Sequence, residues 1–257
     1  MQGKKKLILA LLIQSSAQQF IRFTCSQLVI ERLDPLVNPG LEGSPHMHQV
    51  VGGNSFNASM DSATHDLVED STCTSCTFSE DFSNYWTAVL YFRARNGTFR
   101  RVPQFVNVGL RGVGGITVYY IPPYDGKTTV TAFKPGFRML VGDAALRTKR
   151  TMQRGLCHRC LVSDKASPPC TGADTRDLPS APCSGGIRTT ITFPTCWDGV
   201  NLNSPDHKSH VAYPQTGTFE SGSECPNTHP VKLPQLMYEV MWQVSMILTV
   251  CTWDPIC

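Results

Sequence analysis

What this 257-residue sequence lacks narrows its reading before anything it contains. No stretch beyond the N-terminus keeps a 3.6-residue apolar period over three turns without a Gly or Pro interrupting it, so helix signals are weak. No apolar run approaches the ~20 residues that a membrane-spanning helix needs. There is no "GxSxG" for a serine nucleophile and no "HExxH" for a zinc-bound water. "GLRGVGG" lacks the Lys-Ser/Thr end of a phosphate-binding loop. Excess charge is missing as well. The formal net charge is +3, and three of the basic residues, Lys4, Lys5 and Lys6, precede the apolar run "LILALLI" and the small residues around Ala17. That layout predicts a secretory signal peptide over residues 1–17. With it removed the chain is nearly neutral, which argues against nucleic acid, or a membrane after cleavage, as the partner.

What is present fits export. Eleven cysteines in a secreted chain predict a disulfide framework, so "CTSC" at Cys73/Cys76 and "CHRC" at Cys157/Cys160 read as bridge halves before zinc knuckles. The odd total leaves at least one thiol without an intramolecular partner. Sequons at Asn57 ("NAS") and Asn96 ("NGT") fit a glycoprotein.

Six segments carry strand chemistry: "YWTAVLYFRA", "GITVYYI", "KTTVTAFK", "FRMLVG", "IRTTITF" and "KLPQLMYEVMW". With 18 prolines and 20 glycines mostly between them, they predict a mostly β domain. The expected form is a single β-sandwich or jelly-roll-like body over residues 18–243, with long disulfide-tied loops and little helix. Residues 163–186, rich in Pro, Ser and Gly with two cysteines, read as one such loop. After Gln243 the pattern breaks. Gln243-Val244-Ser245 can be encoded as CAG GTA AGT, the preferred sequence across an intron's 5′ boundary, so residues 244–257 read as an aberrant tail from intron read-through.

Candidate chemistry gathers in four Pro- and Gly-flanked segments that hold five of the seven histidines. "SPHMHQVVGG" places His46 and His48 two residues apart, on one face of an extended chain. "ERLDPLVNPG" offers Arg32 and Asp34, which are expected to form an ion pair. "CWDGVNLNSPDHKSHVAYP" carries Asp198, Asp206, His207 and His210 beside Trp197 and Tyr213, and the last segment adds His229 and Glu239. A carboxylate and a neutral imidazole can share acid and base work, while Trp86, Trp197 and Tyr213 offer faces on which sugars stack. The plainer alternative is that Asp206 makes an Asx turn and His210 holds a loop carbonyl. A metal site would need His46, His48 and a third ligand such as His210 or His229. His65 and His158 read as surface residues.

These segments, with "CTSCTFSEDFSNYWTAVLYFRARNGTF" and "CPNTHPVKLPQLMYEVMW", resemble in order a secreted fungal family of domains of unknown function, DUF1996, from about Arg32 to Trp242. The resemblance implies frequent fusion to cysteine-rich WSC carbohydrate-binding modules, and hence a role on wall or plant polysaccharide. It marks Asp34, His46, His48, Trp86, Trp197, Asp198, Gly199, His207, His210, Tyr213, His229 and Glu239, without assigning them roles. It also implies that Cys157 is the unpaired thiol, and that members continue past "MYEVMW" into a segment this chain lacks. The resulting expectation is an extracellular protein that acts on or binds polysaccharide through a cleft shared by Asp34, His46, His48, His207, His210 and His229, its cofactors unknown. A hydrolase or lyase is one form of it, with Arg32 or a bound cation neutralising a sugar carboxylate; a non-catalytic wall-binding module is the second, and a metal-dependent oxidase the third.

Overall fold

The computed structural model describes residues 20–105, 114–123, 128–143, 145–146, 154–161, 170–216 and 223–244. The expected signal peptide and nearly all of residues 244–257, expected as a read-through tail, lie outside the described residues.

The main sheet has five antiparallel strands in the order β1 (Ile21–Cys25), β7 (Ile116–Ile121), β13 (Gln235–Trp242), β9 (Ile187–Thr192) and β8 (Leu156–Cys160). Its middle strand, β13, is "QLMYEVMW", and alternation along it sorts the side chains by face. Leu236, Tyr238, Val240 and Trp242 enter the hydrophobic core, so Met237, Glu239 and Met241 point to the opposite face. A second sheet packs onto the core side. It is formed by β2 (Val29–Glu31), β3 (His48–Gly52) and β4 (Asn84–Ala88), and contributes Val51 and Tyr85 to the same core. The Tyr85 ring lies 5.5 Å from Tyr238 and 6.4 Å from Phe23. The arrangement is therefore mostly β and sandwich-like.

The remaining elements are small. β5 (Tyr91–Arg93) and β6 (Phe99–Arg101) form a two-stranded ribbon; β10 (Cys196–Trp197), β11 (Val211–Ala212) and β12 (Val231–Lys232) form a three-stranded sheet. That sheet packs on a satellite core of Trp197, Val211 and Leu233. Among the described residues the only helix is α1 (Leu67–Asp70), one turn capped by the Asp66 carboxylate, which accepts from the N–H of Val68 and Glu69. Gly115 shows how closely the strands meet: at φ +122°, a Cβ there would fall 1.9 Å from the Cys25 carbonyl, so only glycine fits before β7.

Among the described residues four disulfides join Cys25–Cys76, Cys157–Cys170, Cys160–Cys183 and Cys196–Cys225. Two expectations change here. Cys157 is bridged, and the free cysteine among the described residues is the exposed Cys73. His158 is also not a surface residue. It is 8 % exposed and paired through Nδ1 with the Thr189 hydroxyl at 2.9 Å, because it sits on the core-facing side of β8. The loop reading of residues 163–186 is met where the structure describes it, with Cys170 and Cys183 both tied back to β8.

Two segments expected as strands are not. Residues 128–142, covering most of "KTTVTAFK" and all of "FRMLVG", form no strand. Their backbone bonds go one at a time to different loops: Thr131 N–H to Lys232, Arg138 N–H to Leu202 and Leu140 N–H to His207. Pro135 and Gly136 break the ladder between them. Their apolar side chains still pack, and Phe133 and Met139 bridge the main and satellite cores.

Candidate functional site

The expected histidine cleft divides into two sets, with no hydrogen bond, ion pair or ring contact between them among the described residues. The first lies at the start of β3. Asp34 is buried, its Oδ1 accepting from the N–H of Leu36 and Val37, its Oδ2 3.9 Å from His48 Nε2. His48 Nδ1 donates to the Leu33 carbonyl at 2.9 Å, which fixes the ring. His46 stands beside it with ring centroids 6.1 Å apart, as the two-residue spacing requires. Arg32 does not pair with Asp34. Its Nε donates to the Ser44 carbonyl at 2.7 Å, because the Asx turn already occupies Asp34 and turns it toward His48.

The second set fills the loop between β10 and β11. Asp198 Oδ1 caps the turn at Val200 and Asn201. Asp206 does the same for Lys208 and Ser209, and the Ser209 N–H and Ser204 hydroxyl hold its carboxyl far below the usual range. His210 is 1 % exposed. Its Nε2 donates to the Arg138 carbonyl at 2.8 Å, and Nδ1 meets Ser204 Oγ at 2.8 Å. His229 Nε2 likewise donates to the Ser209 carbonyl, and His207 Nδ1 meets Asn203 Oδ1 at 2.7 Å. The Asx-turn and carbonyl-holding alternative is thus the arrangement adopted. The set His46, His48 and His210 is not assembled, and among the described residues no group of three or more His, Cys, Asp or Glu is placed to hold a metal.

Two expected stacking platforms are closed. Trp197 is 2 % exposed, with Nε1 donating to Asn201 and its ring against Phe137. Tyr213 donates its hydroxyl to the Thr192 carbonyl at 2.6 Å beneath the Arg154 guanidinium. Glu239 belongs to neither set. It lies on the far face of the main sheet, 3.5 Å from Arg188, and accepts from the Tyr119 hydroxyl at 2.5 Å.

The buried imidazoles set a pH dependence. Burial lowers the pKa of both His210 and His158, partly opposed by Asp198 and Asp206 at the first and by Asp177 and Asp174 at the second; His207 adds to the lowering at His210. The unfolded chain therefore binds more protons than the folded one between the lowered values and about pH 6.5. Stability is fully present above that pH and is lost as pH falls below it. The melting temperature is expected to drop by several degrees from pH 7 to pH 5, with a smaller drop in His210→Gln. An unchanged slope in that variant would show that His210 does not contribute.

A half-open cavity of about 760 Å³ lies beside β4. Of the sequence candidates it takes only Trp86, which is half-buried in β4. Phe133 and Phe137 line it together with Asp66, Asp70, Glu80 and Asp81, and Lys134 and Arg138 line the same space. Asp81 accepts from the Tyr85 hydroxyl at 2.6 Å, which in turn meets the Tyr120 hydroxyl at 2.7 Å. Burial and the Asp81 charge push Tyr120 up to about 12 and Tyr85 well upward, so both phenols stay neutral donors. His65, read as a surface residue, lines this cavity, with Nδ1 3.5 Å from Asp70. The signal that could have found it is "SEDFSNYW", where Glu80, Asp81 and Phe82 lead directly into Tyr85 and Trp86 of β4.

Comparison with known families matches residues 34–254 to DUF1996, a domain of unknown function. No curated protein and no solved structure matches the chain.

Proposed function

We propose, from the premise that the chain belongs to the DUF1996 family, that it is an extracellular carbohydrate-binding protein whose glycan enters the cavity beside Trp86. The observation that carries this reading is the cavity wall: partly exposed aromatic faces set against carboxylates and two cations. Sugars are bound by that combination, ring faces for their C–H surfaces and charged acceptors or donors for their hydroxyls. The export signal, the disulfides and the exposed sequons at Asn57 and Asn96 support an extracellular, glycosylated setting. Binding is favoured over turnover because a ring nitrogen of each of His48, His210 and His229 is already held by a backbone carbonyl. A hydrolase or lyase remains the second reading, and carboxylates in the cavity would have to serve it.

Retention on insoluble glucan, chitin and methyl-esterified pectin, with reducing-end release followed in parallel, tests the proposal. Trp86→Ala is expected to weaken retention about three- to tenfold and leave the melting temperature near that of the parent. Failure to retain any of the three polymers, or full retention by the variant, would overturn the cavity reading. New reducing ends would shift it to an enzyme.

A further inference from the structure

The β5–β6 ribbon forms a surface separate from the cavity; none of its residues lines that space. Its register opposes Tyr91 to Arg101 and Arg93 to Phe99, so these four side chains share one face. All four are exposed, Phe99 to 66 %. The other face anchors the ribbon, since Phe92 packs on the main core and Val102 N–H continues the ladder to the Leu90 carbonyl. The tip turns at Ala94–Gly97, where Gly97 takes φ +81°. From Ala88 to Phe105 there are four basic residues, Arg93, Arg95, Arg100 and Arg101, of which Arg93 and Arg101 lie on this face. No acid occurs anywhere in that stretch. No ion pair involves Arg93, Arg100 or Arg101 among the described residues.

We infer that this ribbon is a docking surface for an anionic polysaccharide bearing carboxylates, a polyuronate. Charge complementarity carries the choice: the exposed Arg93, Arg100 and Arg101, with no acid on the ribbon, fit a repeated negative charge. Planar guanidinium forks match carboxylates, and the aromatic rings between them match sugar faces. The pattern is a checkerboard, about 5 Å across the strands and about 7 Å along them. Tyr91 and Phe99 sit diagonally with an arginine opposite each, so no continuous apolar edge is presented to a lipid surface. The disulfide framework places the chain away from cellular nucleic acid.

The test compares binding of the full chain, made in a secreting host, to polygalacturonate and to its fully methyl-esterified form, at low and high salt. Phosphatidylserine vesicles and single-stranded DNA are the other arms. The acidic polymer is expected to bind at least about tenfold tighter than the esterified one, and to weaken as salt rises. Arg93→Ser with Arg101→Ser is expected to reduce that binding about tenfold, and Phe99→Ser to reduce it further. The melting temperature should hold in all of these, since the side chains are exposed. Equal binding of the two polymers, tighter binding to vesicles or DNA, or unchanged binding in the arginine variant would overturn the inference. Trp86→Ala separates it from the cavity reading, because acidic-polymer binding through the ribbon survives that change.

Discussion

Asp174→Ala is expected to cost about 3–5 kcal/mol of folding stability, a large share of what a domain of this size holds. The carboxylate is 2 % exposed at the side chain and lies between two guanidinium groups that are each 8 % exposed, those of Arg159 and Arg188. It pairs with Arg159 Nε, lies 3.3 Å from Arg188 and also accepts from the Cys170 N–H at 2.6 Å. Removing it leaves the buried Arg159 guanidinium with the Thr171 carbonyl and no carboxylate, while Arg188 keeps Glu239. The network continues across the sheet from Glu239 to Tyr119 and Arg22, and burial beside Glu239 pushes Tyr119 up to about 12. Asp174→Asn keeps the shape and some hydrogen bonds and should cost less than the alanine change. Glu239→Gln should cost less still, because that carboxylate is 16 % exposed and solvent screens it. Urea unfolding measures all three. A loss below about 1 kcal/mol for Asp174→Ala would mean that water reaches the network.

None of that network was visible in the chain, although three of its strands were. Alternation and β-branched content identify "GITVYYI", "IRTTITF" and "KLPQLMYEVMW" as strands, because a half-buried sheet imposes a period of two on any sequence that forms it. The same chemistry misleads at "FRMLVG", where side chains pack as a strand's would while the backbone bonds to scattered loops. "CHRC" hid a strand behind its cysteines, so Arg159 and His158 were not assigned to opposite faces of β8. For the site, the two-residue spacing of His46 and His48 gave their shared face correctly. Which nitrogen meets a carbonyl depends on residues far apart in the chain, such as Arg138 for His210, and periodicity carries no such information. The cavity was hidden for the same reason: residues 133–141 and β4 line it together, two segments with no local signal for each other.

Opening the Cys25–Cys76 bridge is expected to cost about 4 kcal/mol, while Cys73→Ser costs almost nothing. The sequence presents Cys73 and Cys76 alike, as the two ends of "CTSC". The structure separates them. Cys76 faces Cys25 across an isolated antiparallel bridge, and Cys25 is fully buried in the main core at the end of β1. Cys73 is exposed and free. The bridge closes a loop of 51 residues, the longest of the four, and chain entropy makes longer loops more costly to leave open. That loop contains β2, β3, α1 and the cavity carboxylates Asp66 and Asp70, so the bridge fixes the second sheet against the first. The paired change Cys25→Ser and Cys76→Ser should therefore lower the urea midpoint with Trp86 and Tyr85 fluorescence reporting the same transition. Cys73→Ser should leave the midpoint within about 0.5 kcal/mol of the parent. If Cys73→Ser proves costly and Cys76→Ser alone proves mild, the pairing is Cys25–Cys73, and the strand register before β4 shifts with it.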